Sequence, residues 1–176
     1  MISALATAEE LLALERQARA CGTGVEASHL VGRWQLELVW PKGSRRASAF
    51  SGWLLRGVSA RLEIVAEPHA AEPQAVLLSN AVNLGAVELR FNGHGRLQGR
   101  RPLLLFSFDQ LRLSVAGRCL FQRNLPAPLP QRTPFFALIH RDASGWLAAR
   151  GRGGGLALWR LADGAVSVAN MATTAP

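Results

Sequence analysis

The sequence has few of the residues that disulfide frameworks, metal centres and membrane-spanning segments require. Its 176 residues include 2 cysteines, Cys21 and Cys119, too few for a disulfide framework, so buried or free thiols are expected. The 4 histidines lie in different segments with no pairing at metal-ligand spacing, which predicts no metal site. The longest charge-free run, residues 73–87, is too short and too polar to span a bilayer.

The sequence also contains no recognisable catalytic arrangement of residues. Three aspartates, Asp109, Asp142 and Asp163, fall at turns or strand ends, and no serine lies in a nucleophile elbow. The glycine-rich residues 151–155 lack the Lys-Ser/Thr pair and the helix that a phosphate-binding loop needs. Strand-like residues follow instead, which favours a hairpin turn with positive φ. We therefore expect a protein that is not an enzyme and carries no cofactor.

The positive charge raises the question of anionic partners. The net charge is +8 and the isoelectric point is near 11.4, which would suit nucleic acid. However, Lys42 is the only lysine and the arginines are scattered from Arg16 to Arg160, which indicates a compositional bias and disfavours nucleic acid. Peripheral contact with an anionic membrane stays compatible with the same charge. Glu9 and Glu10 stand where a signal peptide would need a basic and then an apolar run, which predicts a cytoplasmic protein.

The first part of the chain predicts one helix followed by a strand. Residues 7–10, Thr-Ala-Glu-Glu, have the spacing of a capping box, and Gly22 ends the apolar stripe, so a helix is expected over residues 7–21. Residues 30–40 then alternate between apolar and polar, as a half-buried strand does. This alternation predicts that Trp34 and Trp40 lie on the same buried face.

The rest of the chain reads as short strands separated by turns. Residues 103–108 are apolar on both faces, so we expect one face inside the fold and the other under the N-terminal helix. About eight to ten strands in this pattern predict a single all-β domain over residues 1–176, an antiparallel sandwich or barrel built from residues 30–168. The further strands are expected at residues 47–56, 58–64, 76–84, 87–91, 111–115, 135–139, 146–150 and 156–161, with an edge at 166–168.

Three arginines end runs whose same-face neighbours are apolar: Arg56, Arg150 and Arg160. They either snorkel at a rim or stack on Trp34 and so close the barrel. Alternatively, their guanidinium groups hold the polar end of an apolar ligand. The position of Trp34 beside Gly32 favours a role in closing the barrel floor.

Two segments are similar to the first and last strands of a known family. Residues 30–36, Leu-Val-Gly-Arg-Trp-Gln-Leu, match an opening L-x-G-x-W-x-L strand, and residues 149–158 match a closing R-G-x-x-G-x-hydrophobic strand pair. Residues 78–82 and the strand near Phe106 fall where comparable strands lie. The chain thus resembles the plastid-lipid-associated proteins of the fibrillin family, in a short cyanobacterial form. It departs from them at residues 143–147, which replace an acidic stretch, and at Arg152, which replaces an acidic residue.

The resemblance implies a lipocalin-like β-barrel with an N-terminal helix and no enzymatic activity. It implies a small hydrophobic ligand, such as a fatty acid, carotenoid or prenylquinone, and a place near photosynthetic (thylakoid) membranes. Two alternatives remain: a structural or adaptor barrel filled by its own side chains, and a bilin-handling protein of similar shape. The ligand-binding residues expected in this interpretation are Trp34, Trp53, Phe106 and Phe108 as lining or floor, with Arg56 and Arg150 at the polar end.

Overall fold

The computed structural model describes residues 6–46, 58–67 and 72–162. In these ranges lie two α-helices, one 3-10 turn and nine strands. The expected strands at residues 47–56 and 166–168 fall outside the described residues, and so do Trp53 and Arg56. The elements are α1 (Ala8–Cys21), α2 (Ala27–Leu30), β1 (Gly32–Trp40), β2 (Val58–Ala66), β3 (Ala75–Leu84), β4 (Val87–Gln98), β5 (Leu103–Val115), β6 (Arg118–Asn124), the turn Pro130–Arg132, β7 (Phe135–Arg141), β8 (Trp146–Gly151) and β9 (Leu156–Ala162).

Helix α1 begins at the capping box that the sequence predicts. The Glu10 amide donates to Thr7 Oγ1 at 3.2 Å, and the Thr7 amide donates to Glu10 Oε2 at 2.8 Å. These bonds satisfy two backbone donors that the first turn of a helix otherwise leaves free. Gly22, at φ 82°, ends the helix, and its amide donates to the Ala18 carbonyl.

Eight antiparallel strands form a closed ring. Their order is β1-β2-β3-β4-β5-β7-β8-β9, and β9 pairs with β1 again. The all-β antiparallel class predicted from the sequence is therefore confirmed. Strand β5 has two neighbours on one side, because Leu103–Leu105 pair with β7 and Gln110–Val115 pair with β6. Among the described strands, β6 pairs only with β5 and lies outside the ring.

The main hydrophobic core fills one end of the ring. Trp34, Ile64 and Leu78 are buried there against Leu104 and Leu138. Ala27 and Leu30 of α2 belong to the same core, so this short helix closes the end of the ring. The sequence pattern had indicated no helix at α2.

A second hydrophobic core lies outside the ring, under α1. Ala8 and Leu11 of the helix pack there against residues of four strands. These residues are Trp40, Ile139, Ala148, Leu156 and Leu158. In the described part of the chain this core contains residues of β1, β7, β8 and β9 and none of β5. The expectation that α1 covers the outer face of residues 103–108 is therefore wrong. Pro130 and Thr133, from the proline-containing segment before β7, lie there instead, beside Leu105 and Ser107.

A β-bulge in β1 separates its two tryptophans. Leu36 pairs with Trp159 and Leu38 with Leu158, so Glu37 is an extra residue in the ladder. Such an insertion shifts the alternation of faces by one position. Trp34 consequently faces the interior of the ring, whereas Trp40 faces α1. The prediction that both side chains share one face is wrong.

Candidate functional site

The end of the ring near α2 is sealed around Trp34. Its side chain is fully buried, and the indole N–H donates to the Leu30 carbonyl at 2.7 Å. Arg141 covers the ring, with its guanidinium carbon 5.7 Å from the centroid, and donates from Nε to the His29 carbonyl. Gly32 allows a close approach, because a Cβ there would lie 2.5 Å from Leu161 Cδ1. These contacts support the predicted role of Trp34 in closure.

Next to Trp34, farther along the ring axis, lies an interior cavity of about 340 Å³. Leu36 and Val82 belong to its lining, and Leu84, the next residue on the same face of β3, is 60% exposed. The cavity therefore lies between the sealed end and an end that solvent reaches. It is lined by Leu36, Arg61, Leu62, Asn80, Val82, Phe106, Phe108, Phe136, Ala157 and Trp159.

One wall of the cavity is a chain of aromatic rings. Phe106 lies 5.4 Å from Phe108 and 5.2 Å from Phe136 between ring centroids, and Phe136 meets the Trp159 ring edge-on at 5.2 Å. Tilted and edge-on pairs of this kind stabilise one another beyond their buried area. The structure thus places Phe106 and Phe108 in the lining, as the sequence predicts. Phe136 and Trp159 were missed, because alternation marks them only as core positions of a strand.

Polar groups are few in this lining. Asn80 contributes an amide, and Arg61 is the one charged residue among the described residues that line it. The guanidinium of Arg61 is already engaged outside the ring, since Nη2 lies 2.5 Å from Glu88 Oε2 and Nε lies 3.3 Å from Glu63 Oε1. The cavity therefore offers an apolar environment with one uncharged polar contact.

Trp34 and Arg150, which the sequence also predicts as site residues, do not line the cavity. Trp34 is part of the core next to the cavity and is not in its lining. Arg150 does not lie at the polar end of the cavity, which corrects the expectation from the sequence. Its neighbour Ala149 faces the interior, so Arg150 faces outward. The sequence pattern is misleading here because Trp146, whose face Arg150 shares, packs in the outer core. Arg160 also faces outward, over Trp146.

Arg150 holds α1 to the ring through Glu15. Nε and Nη2 of Arg150 donate to Oε1 and Oε2 of Glu15 at 2.8 and 2.5 Å. Arg101 and Arg19 donate to the same carboxylate at 2.6 and 3.1 Å. The hydrogen bond from Arg150, helped by Arg19, outweighs burial and lowers the pKa of Glu15 to about 2. The cluster is structural, since both carboxylate oxygens are occupied.

No protein-family model matches the chain, and the search of curated proteins finds no match. The resemblance to the fibrillin family therefore stays a prediction. No helix in the described ranges is long and apolar enough to cross a membrane.

Proposed function

We propose that the chain is a non-enzymatic binding protein that holds a small hydrophobic molecule in the cavity beside Trp34. The observation that carries the proposal is the apolar cavity of about 340 Å³ with its aromatic wall. Small-molecule sites have volumes of roughly 300–1,000 Å³ and are mostly apolar with a few polar groups. We further propose that the ring is a lipocalin-like barrel, which the closed strand order and the Gly-x-Trp strand at its sealed end support.

The volume of the cavity limits how much of a ligand it can enclose. A water molecule occupies about 30 Å³ in the liquid, and we take the same volume for one heavy atom with its hydrogens. The cavity of about 340 Å³ then accommodates on the order of ten heavy atoms of a ligand. A fatty acid or the first units of a prenylquinone would fill it and extend towards the exposed Leu84. A carotenoid, the third ligand of this class, would reach farther out of the ring than either of the other two. Proximity to photosynthetic membranes is part of the proposal and rests on the resemblance alone.

The cavity also favours this function over the two alternatives. An adaptor barrel filled by its own side chains would leave no space of this size beside Trp34. A bilin carries propionates that need cationic partners, whereas Arg61 is the one cationic residue among the described residues of the lining, and its guanidinium is already engaged by Glu63 and Glu88.

Filling the cavity should abolish ligand binding. Ala157 lies in the lining, so Ala157→Phe would place a ring in the cavity. We expect the affinity for the fluorescent fatty acid cis-parinaric acid to fall at least tenfold, because the ring occupies the volume of the ligand. Fluorescence titration of the purified proteins measures this change. Because overpacking typically costs about 1–3 kcal/mol of stability, the variant could bind less simply by being unfolded. A cooperative thermal unfolding transition shows that it is folded.

Ala143→Phe is the matched control, because Ala143 is exposed in the turn between β7 and β8. The control adds the same ring outside the cavity and should bind the probe as the unaltered protein does. A folded Ala157→Phe protein that retains full affinity would contradict the proposed function.

A further inference from the structure

A second cavity, of about 400 Å³, lies on the outer face of the sheet, near the turns β3–β4 and β5–β6. Three arginines contribute to its lining, Arg61, Arg90 and Arg112. They belong to one row across four neighbouring strands, because Arg61 pairs with Ala81, Ala81 with Arg90, and Arg90 with Arg112. The small side chain of Ala81 leaves space between the first two arginines.

The row brings like charges together at a cost. Arg90 and Arg112 are directly opposite each other on β4 and β5, an arrangement that destabilises an antiparallel pair. Carboxylates that approach the guanidinium groups reduce this cost. Two do so here, Glu63 and Glu88.

Both carboxylates form ion pairs with arginines other than Arg112. Glu88 accepts from Arg61 and Arg90 at 2.5 and 3.1 Å. Burial alone would raise the pKa of Glu88, but the two arginines together hold it below its ordinary value. Glu88 therefore stays ionised at neutral pH.

Glu63, which is 2% exposed, lies 3.0 Å from Arg33 Nε and 3.2 Å from Arg90 Nη1. Arg112 has no ion pair within the described residues, and its buried Nε has no hydrogen-bond partner there. Counting Arg33, Arg61, Arg90 and Arg112 against Glu63 and Glu88, four positive and two negative charges leave an excess of two positive charges.

We propose that this pocket binds a phosphate group, with Arg112 as its main cationic partner. A phosphate dianion matches the excess of two positive charges, whereas a single carboxylate balances only one. Guanidinium groups bind phosphate oxygens through paired N–H donors, and the Ser114 hydroxyl in the lining offers a further donor. The volume exceeds that of a phosphate ion, so the pocket also admits the molecule that carries the group. The proposal does not depend on the interior cavity, which lies on the other face of the sheet.

Calorimetric titration at constant ionic strength tests the proposal. The ligands are inorganic phosphate, glycerol 3-phosphate and vesicles of phosphatidylglycerol, with sodium chloride as the reference. We expect saturable binding, weakened at least tenfold in Arg112→Gln. Because this change also removes a like charge opposite Arg90, the variant should unfold at the same or a slightly higher temperature.

Arg123→Gln is the control, since it removes an equal charge from an exposed position on β6 outside the pocket. Its affinity should stay within twofold of the unaltered protein. Binding of the soluble phosphates that depends on Arg112 supports a free phosphate ester as the ligand. Binding confined to vesicles, with the same dependence, supports a lipid headgroup. Equal losses in both variants, or no saturable binding to any of the three ligands, would overturn the proposal.

Discussion

Replacement of Trp34 by alanine is expected to lower the free energy of unfolding by about 3–5 kcal/mol, the range for large aromatic truncations in cores. The side chain is fully buried, and its indole N–H donates to the Leu30 carbonyl at 2.7 Å. The change would leave a cavity, an unpaired carbonyl and an Arg141 guanidinium without its aromatic partner. Equilibrium unfolding in urea measures the loss.

Two further variants separate the contributions at this site. Trp34→Phe keeps most of the apolar volume but removes the donor to Leu30, which should cost about 1–3 kcal/mol. Trp146→Ala removes an indole that is only half-buried, in the outer core, and should cost less than Trp34→Ala. If Trp34→Ala left stability almost unchanged while ligand binding was lost, Trp34 would be a ligand contact and its role in closure would be refuted.

Glu15→Gln is expected to destabilise the protein by about 3 kcal/mol at neutral pH, as the loss of one partner from a buried ion pair does. Arg150 and Arg101 would keep their charges and lose their shared carboxylate. Because Glu15 joins α1 to the ring, we expect the helix to detach first. Equilibrium unfolding in urea measures the change in the free energy of unfolding. Faster hydrogen exchange of the α1 amides than of the strand amides would show that α1 detaches first.

The effect of Glu15 should depend on pH. The pKa in the folded protein, about 2, lies below the ordinary value of 4.5, so ionised Glu15 stabilises the fold fully above pH 4.5. This stabilisation, at most about 3 kcal/mol, is lost as the pH falls from 4.5 towards 2. The stability difference between the unaltered protein and Glu15→Gln should therefore shrink over that interval.

Glu9→Gln serves as the control, because its ion pair with Arg45, at 3.5 Å, is exposed. We expect a change within about 0.5 kcal/mol. A difference for Glu15→Gln that stays constant between pH 5 and pH 2 would show that the carboxylate charge is not what holds α1.

The sequence predicts the parts of this fold that depend on local chemistry. Thr7 and Glu10 form a capping box wherever a helix follows them, and alternating apolar residues indicate strands in any antiparallel sheet. Phe106 and Phe108 could be identified as lining residues of the cavity because their strand is apolar on both faces. Each of these signals lies within a few neighbouring residues.

Features that depend on register could not be predicted in the same way. The bulge at Glu37 has no glycine or proline to mark it, yet it moves Trp40 to the opposite face. Arg150 pairs with Glu15, far away in the sequence, and Arg141 rather than Arg150 or Arg160 covers Trp34. These contacts follow from the closure of the ring, which a local pattern does not encode.

The row of Arg61, Arg90 and Arg112 was missed for the same reason. Each arginine alone looks like an ordinary exposed position of an alternating strand. Only the pairing of β2, β3, β4 and β5 brings the three to one line on the outer face. A signal for the pocket in the sequence would have required the register of all four strands.

We propose that the ring holds a small hydrophobic molecule, and capture of a ligand from a lipid extract tests this proposal. The purified protein is incubated with a lipid extract of photosynthetic membranes, purified again and examined by native mass spectrometry, with Ala157→Phe treated in parallel. We predict one hydrophobic molecule per chain in the unaltered protein and none in the variant. Recovery of the unaltered protein at the mass of its polypeptide alone, from extract and from purified fatty acids alike, would show that the ring does not hold such a molecule.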